Sequence, residues 1–217
     1  MGSDGALSRR VWNRRVTSIG IFDYGAGNLH SLLKAIEGDG RSVSVDTDIR
    51  SSVKADVLIL PGVGAFGAAI AAMRGAQGYV RDALVDGKPC LGVCLGMQML
   101  FDASEEASES DAGIGLIAGR VTQLRTPKVP HMGWNEIEWG DDALPQSQLH
   151  SAYFANAYVC EPEDNSAVLA WTTHQDARFA SVVRRANTVG VQFHPEKSSA
   201  SGRVFVNGVI DELLQCK

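Results

Sequence analysis

A cysteine set between two glycines at the end of an apolar run, Gly92-Val93-Cys94-Leu95-Gly96, has the pattern of a nucleophile elbow. In such an elbow a sharp strand-to-helix turn holds the central side chain in a strained backbone conformation, and the flanking glycines let neighbouring segments pass close. The pattern predicts a strand over Pro89 to Val93, a helix over Leu95 to Phe101, and Cys94 standing exposed at the carboxyl end of a sheet. A helix N-terminus favours a thiolate there and offers N–H groups to a developing oxyanion. The chemistry indicated is acyl transfer by a cysteine nucleophile. Read alone, the same cysteine fits a small buried hydrophobe just as well, so a base has to decide.

His194-Pro195-Glu196 supplies that base after the apolar stretch Gly190 to Phe193. Proline favours extended geometry in the residue before it, and residues two apart in an extended segment share a side. Glu196 is therefore expected to accept from one imidazole nitrogen, fix the tautomer, and leave the other nitrogen to face Cys94. His30, His131, His150 and His174 compete for the role.

The elements that must position these residues follow from periodicity. Strands are expected at Ser18 to Phe22, Val43 to Val45 and Val57 to Leu60. Between the first two, Asn28 is a good N-cap for a helix whose Leu29, Leu32, Leu33 and Ile36 share one face. Pro61-Gly62-Val63-Gly64 breaks the third strand and leads into a helix starting near Ala65; beside an elbow, its glycines expose backbone N–H groups as an oxyanion loop does. The acidic stretch Ser104 to Asp111 reads as a solvated loop. Beyond Gly119 the pattern turns to strands joined by turns: Val121 to Leu124, Trp134 to Trp139, Tyr153 to Val159, Val168 to Thr173, Phe179 to Arg184 and Val189 to Phe193. A last helix puts Val206, Ile210 and Leu213 on one face. The fold class expected is α/β, a three-layer α/β/α arrangement with a mainly parallel central sheet and an added antiparallel region.

Composition narrows the classes. The 217 residues carry a formal net charge of -5 and no basic stripe, which argues against a nucleic-acid partner. No apolar run approaches the roughly 20 residues that span a bilayer. The four cysteines, Cys90, Cys94, Cys160 and Cys216, show neither a CxxC pair nor zinc-ligand spacing, and are expected to be reduced thiols in a cytoplasmic protein. Residues 1–17, with Arg9, Arg10, Arg14 and Arg15, read as a loose N-terminal extension to one domain over 18–217. Gly25-x-Gly27 is a weak dinucleotide fingerprint, because His30 stands where the third glycine belongs.

Gly92 to Gln98 together with Gln192-Phe193-His194-Pro195-Glu196 resembles the class I (triad) glutamine amidotransferases, in the family's chain order and about a hundred residues apart. Phe22 to Asn28, Pro61 to Phe66, Pro130-His131-Met132-Gly133-Trp134-Asn135 and Glu196-Lys197-Ser198 narrow the resemblance to the glutaminase subunits of imidazole glycerol phosphate synthases. The resemblance implies a catalytic triad of Cys94, His194 and Glu196. It implies an oxyanion and substrate site at Gly62, Val63, Gly64, Leu95 and Gln98, and a partner face or relay at His131, Met132, Gly133, Trp134, Asn135 and Lys197. It further implies glutamine as substrate, a cyclase partner built as a (β/α)8 barrel in a heterodimer, and neither metal nor cofactor. One departure stands out: where relatives carry His-Ser-Tyr to help hold the amino-acid end of glutamine, this chain has Asn156-Ala157-Tyr158. An amidotransferase subunit of another pathway and a non-catalytic scaffold remain as alternatives. His131 to Asn135 argues against the first, and the intact triad against the second.

Overall fold

Four consecutive apolar residues, Val57–Leu60, make a strand buried on both faces, as strands inside a helix-covered parallel sheet must be. The computed structural model of the protein describes residues 16–25, 29–38, 40–108, 111–141, 144 and 148–216. In chain order the first half comprises β1 (Thr17–Phe22), α1 (His30–Ile36), β2 (Arg41–Asp46), α2 (Ile49–Ser52), β3 (Val57–Leu60), α3 (Phe66–Ala72), α4 (Gln77–Val85), β4 (Cys90–Val93) and α5 (Leu95–Gln98). There follow β5 (Ala103–Ser104), β6 (Gly119–Gln123), β7 (His131–Glu136), β8 (Glu138–Trp139), β9 (Ser151–Asn156) and β10 (Tyr158–Pro162). The chain ends with β11 (Val168–His174), β12 (Ala177–Arg185), β13 (Thr188–Val191) and α6 (Ser199–Gln215).

The main sheet runs β2-β1-β3-β4-β13-β12-β10-β6-β5, with β11 added on β12 and β8 on β11. From β2 to β13 all neighbours are parallel, and β12, β10 and β11 bring the antiparallel region. Alternation along β3 divides the core. Val57 and Ile59 face α1 and α6, meeting Leu32, Ile36, Phe205, Val209 and Ile210. Leu58 and Leu60 face the opposite layer, with Ile49, Phe66, Ile70, Val80 and Leu84. The architecture is the expected three layers.

Several boundaries differ from the sequence reading, each for a local reason. Thr17 belongs to β1, its N–H bonded to Gly40 O at 2.9 Å, so the first strand starts one residue before Ser18; residues 1–15 of the expected N-terminal extension and the Asn28 cap lie outside the described residues. The helix expected to reach Phe101 stops at Gln98, because Met99 O and Leu100 O accept from Ile114 and Leu116 at 2.8 and 2.9 Å instead of from a further helical turn. The single strand expected over Tyr153 to Val159 breaks at Ala157, whose carbonyl accepts from Leu124 N; β9 pairs with β7, and β10 pairs with β6 in the main sheet. Trp134 to Trp139 likewise splits at buried Ile137, whose N–H turns to His150 O at 2.9 Å.

β7 and β9 form a separate two-stranded ribbon. Alternation along β7 points Met132 and Trp134 outward, 61% and 53% exposed, and turns His131 inward. The His131 ring stacks between His174 and Phe154, with centroids 4.1 and 4.8 Å away, and its Nε2 lies 3.2 Å from the amide nitrogen of Asn135. Its Nδ1 is buried without a partner. Burial, reinforced by the His174 charge, pushes His131 down to about 4. The folded chain thus holds His131 neutral where the unfolded chain takes up a proton near pH 6.5. The stability tied to this residue is complete above that pH and is lost as the pH falls toward 4. Urea unfolding should accordingly show His131→Phe removing on the order of 2 kcal/mol from the stability lost between pH 7 and pH 4.5. An undiminished pH dependence in that variant would contradict the assignment.

Candidate active site

The turn from β4 into α5 is closed by contacts that exclude any side chain larger than hydrogen at its glycines. A Cβ on Gly96 would lie 2.0 Å from the Leu60 carbonyl oxygen, and one on Gly92 would lie 2.7 Å from the Gly96 carbonyl carbon. Cys94 between them takes φ 47° and ψ -104°, a region that non-glycine residues rarely adopt. Its N–H donates to Val191 O at 2.6 Å, and its carbonyl accepts from Gln98 N at 3.1 Å. These bonds anchor the strained residue to β13 on one side and to α5 on the other. Leu95 follows as the first residue of α5, where helix geometry leaves N–H groups without intrahelical acceptors.

Cys94 was expected to stand exposed, and it does not: it is 6% exposed. The Gly62 loop covers it, so close that a Cβ on Gly62 would be 2.9 Å from Cys94 Cβ. Buried Tyr24 packs behind that loop, donating its hydroxyl to Pro61 O at 2.6 Å. Burial and then the Cys94 charge push the Tyr24 hydroxyl far up, against a lowering contact from the Val63 backbone. The sulfur lies at the lining of a cleft of about 270 Å³. Gly62, Val63 and Gly64 form one wall, Cys94, Leu95 and Gln98 the floor, and His194 and Lys197 a further wall.

His194 reaches the sulfur because β13 lies parallel to β4 with Val191 opposite Val93. Its Nδ1 is 2.8 Å from Glu196 Oε1, with side chains 2% and 9% exposed. The carboxylate arrives by a different route from the one expected. Pro195–Lys197 is a 3-10 turn capped by His194, since Pro at its first position presets a helical φ, so the pair closes over a turn and not along a strand. The His194 backbone is clamped twice: its N–H donates to Tyr153 O at 2.8 Å, and its carbonyl accepts from the Ser198 hydroxyl at 2.7 Å. That hydroxyl in turn accepts from Tyr153 N–H at 2.9 Å. Burial alone lowers the imidazole, but the Cys94 charge and hydrogen bond, followed by those of Glu196, outweigh it and carry His194 up to about 10. An imidazolium between thiolate and carboxylate can deliver a proton to a leaving group beside the sulfur.

Of the other residues singled out in the sequence, Lys197 lies exposed at the cleft rim, while Met132 and Trp134 lie away from the cleft on the outward face of β7. His131 is beneath that face, and Asn135 is tied to Thr173 O at 3.0 Å. Glu106, inside the stretch read as a solvated loop, lines the cleft and caps α3, its carboxylate accepting from Phe66 N at 3.0 Å. No spacing announces it, because chain reversal alone brings it there. Asn156 and Ala157 also line the cleft; Asn156 donates to Tyr158 O at 3.1 Å, and its own side-chain oxygen is buried without a partner. Among the described residues no group of three or more His, Cys, Asp or Glu could hold a metal ion.

Residues 20–210 match the family described as glutamine amidotransferase class-I. The chain is 38% identical over 204 residues to the imidazole glycerol phosphate synthase subunit HisH of Gloeothece citriformis, an alignment covering 90% of this chain and 96% of that one. It is 41% identical to the subunit of the same name from Geobacillus thermodenitrificans, covering 88% and 94%. Among solved structures it is similar in fold to a chain of PurLQS from Thermotoga maritima, with TM-score 0.69, 17% identity, and coverage of 91% and 99%. A glutamine amidotransferase crystal structure gives TM-score 0.67 at 18% identity, covering 88% of this chain and 98% of that one.

Two outcomes follow from the geometry. Gly96→Ala must drive α5 off β3 and should cost about 3 kcal/mol in thermal or urea unfolding; a cost within about 0.5 kcal/mol would mean the turn is not tightly packed. Cys94→Ala removes the largest influences that raise His194, so its NMR titration midpoint should drop well below that of the parent, with Glu196 alone holding it up. A midpoint that stays put would show that the sulfur does not face the ring.

Proposed function

The chain belongs to the class I glutamine amidotransferases, and on that premise we propose that it hydrolyses glutamine to glutamate and ammonia as the glutaminase subunit of an imidazole glycerol phosphate synthase in histidine biosynthesis. The observation that carries the reading is the buried imidazole set between Glu196 and the elbow cysteine at the foot of a cleft.

In the proposed reaction the Cys94 thiolate adds to the side-chain carbonyl carbon of glutamine. The charge that develops on oxygen is taken up by Leu95 N–H and by an N–H of the Gly62-Val63-Gly64 segment. His194, protonated at the outset, passes its proton to the nitrogen as the C–N bond breaks, so ammonia departs and a γ-glutamyl thioester remains. The neutral imidazole then takes a proton from water as that water attacks the thioester. That proton restores the imidazolium, and collapse of the second tetrahedral species expels the thiolate and leaves the γ-carboxyl of glutamate, which gives up its proton to solvent. Glu196 holds the ring in the tautomer both steps need and remains ionised throughout. Gln98 and Leu95 form the floor under the substrate side chain.

Free ammonia would be protonated in neutral water and lose its nucleophilicity, so a docked acceptor enzyme fits the chemistry. We assign that role to a cyclase subunit with a (β/α)8 barrel, in a heterodimer in the cytoplasm. Its docking face includes Met132 and Trp134, exposed apolar side chains one strand away from the bridge to His194. Residues 18–217 act as one amidotransferase domain in this reading. The Ala157 methyl leaves the backbone of the Asn156 to Tyr158 turn, rather than a hydroxyl, to meet the amino-acid end of glutamine.

With its synthase partner, Cys94→Ala should lower glutamine-dependent turnover at least about 1000-fold while ammonia-dependent turnover stays within about twofold of the parent. Glutamine hydrolysis that survives the substitution would remove Cys94 from the role of nucleophile.

A further inference from the structure

Gln192 lies fully buried one residue beyond β13, directly beside the nucleophile. Parallel pairing sets Val191 opposite Val93, so the next residues on the two strands, Gln192 and Cys94, are neighbours by register. The Gln192 amide nitrogen donates to Cys94 Sγ at 3.4 Å, within the reach of a hydrogen bond to sulfur. Its orientation is not arbitrary. Gln98, one helical turn past the elbow, points its own amide nitrogen at the Tyr158 carbonyl, 3.2 Å away, which can only accept. The same Gln98 nitrogen donates to Gln192 Oε1 at 3.3 Å. With its oxygen occupied there, Gln192 has only N–H groups to turn toward the sulfur.

We propose that Gln192 is a donor to the nucleophile: its amide N–H holds the Cys94 sulfur as a thiolate and aims it at the substrate carbonyl. The proposal rests on the reading of Cys94 as nucleophile. A thiolate shut away from water needs more than one partner. His194 supplies one, but in the reaction it surrenders its proton, whereas an amide donor is present in every protonation state. Gln192 transfers nothing: it bonds the thiolate before attack and receives it again when the thioester is cleaved. The other titratable groups that bear on the sulfur are His194 with Glu196 behind it, Tyr24 after β1, and Cys160 on β10, with Glu106 and Lys197 lining the same cleft. None of these is altered by changing the amide.

Gln192→Met keeps the length of the side chain without the donor, and Gln192→Glu places a carboxylate against the sulfur. Each full-length variant is assembled with the synthase partner, and co-elution of the two chains together with an unchanged thermal melt of the variant verifies docking and folding. Iodoacetamide labelling of the Cys94 peptide is then followed by mass spectrometry from pH 5 to 9, alongside kcat and KM for glutamine. In Gln192→Met the midpoint of labelling should move up by about one pH unit, kcat should fall roughly 10 to 100-fold, and KM should stay within about threefold. Gln192→Glu should move the midpoint further in the same direction. Unchanged midpoints in both variants would overturn the proposal, even if kcat fell, since loss of packing alone slows turnover without altering the charge on sulfur. If the parent complex fails to hydrolyse glutamine, the functional reading falls, while the labelling comparison still decides the role of Gln192.

Discussion

The bond from Cys94 N–H to Val191 O, at 2.6 Å, joins the two halves of the site. It holds a residue in a backbone conformation that costs on the order of 1 to 3 kcal/mol, and it does so from the strand that ends in Gln192 and His194. Adjacent strands stand about 4.8 Å apart, a spacing fixed by peptide geometry. The separation of sulfur from imidazole is therefore inherited from the sheet rather than from the loops above it. Gly92 and Gly96 make this possible by letting α5 rest against the ends of β4 and β3, where no methyl group would fit.

Burial then does to the side chains what strain does to the backbone. With Cys94 nearly closed off, the imidazole meets the sulfur and the carboxylate through little water, and their pull on its charge exceeds the desolvation that would otherwise neutralise the histidine. Tyr24 and Cys160, driven the other way by burial and by the charge on Cys94, remain neutral neighbours that add no competing anion. The glycine loop over the sulfur comes so near that no Cβ would fit at Gly62, and it shuts solvent away from Cys94.

Much of this was legible in the chain. An uninterrupted apolar run named β3 to the residue, and the elbow and the His194 motif were visible because each compresses its chemistry into five adjacent residues. What stayed hidden depends on contacts between distant segments. Apolar residues run from Ala152 to Cys160 with only Asn156 among them, so nothing local marks the place where one strand becomes two in different sheets. Glu106 sits in an acidic run with every local property of a solvated loop, and its position at the cleft follows only from the return of the chain to α3. Pro195 was read as a guarantor of extended geometry. That holds for His194 before it, but the same ring opens a helical turn after it, and the carboxylate arrives by that turn.

The ribbon of β7 and β9 shares no continuous ladder with the main sheet. Trp134 is paired with Tyr153, and Tyr153 offers its carbonyl to His194 N–H. In mechanical terms the ribbon is a cantilever with one footing on the histidine itself and others on β11, where Thr173 O accepts from Asn135 and the Thr172 hydroxyl donates to Glu136 O. A load on its outer face bears in part on the peptide group that sets the tilt of the imidazole, while the strand carrying the sulfur is braced on both sides by β3 and β13. Of the two reacting partners, the imidazole is thus the one whose backbone is wired to the surface, while the sulfur's is bonded only to β13 and α5.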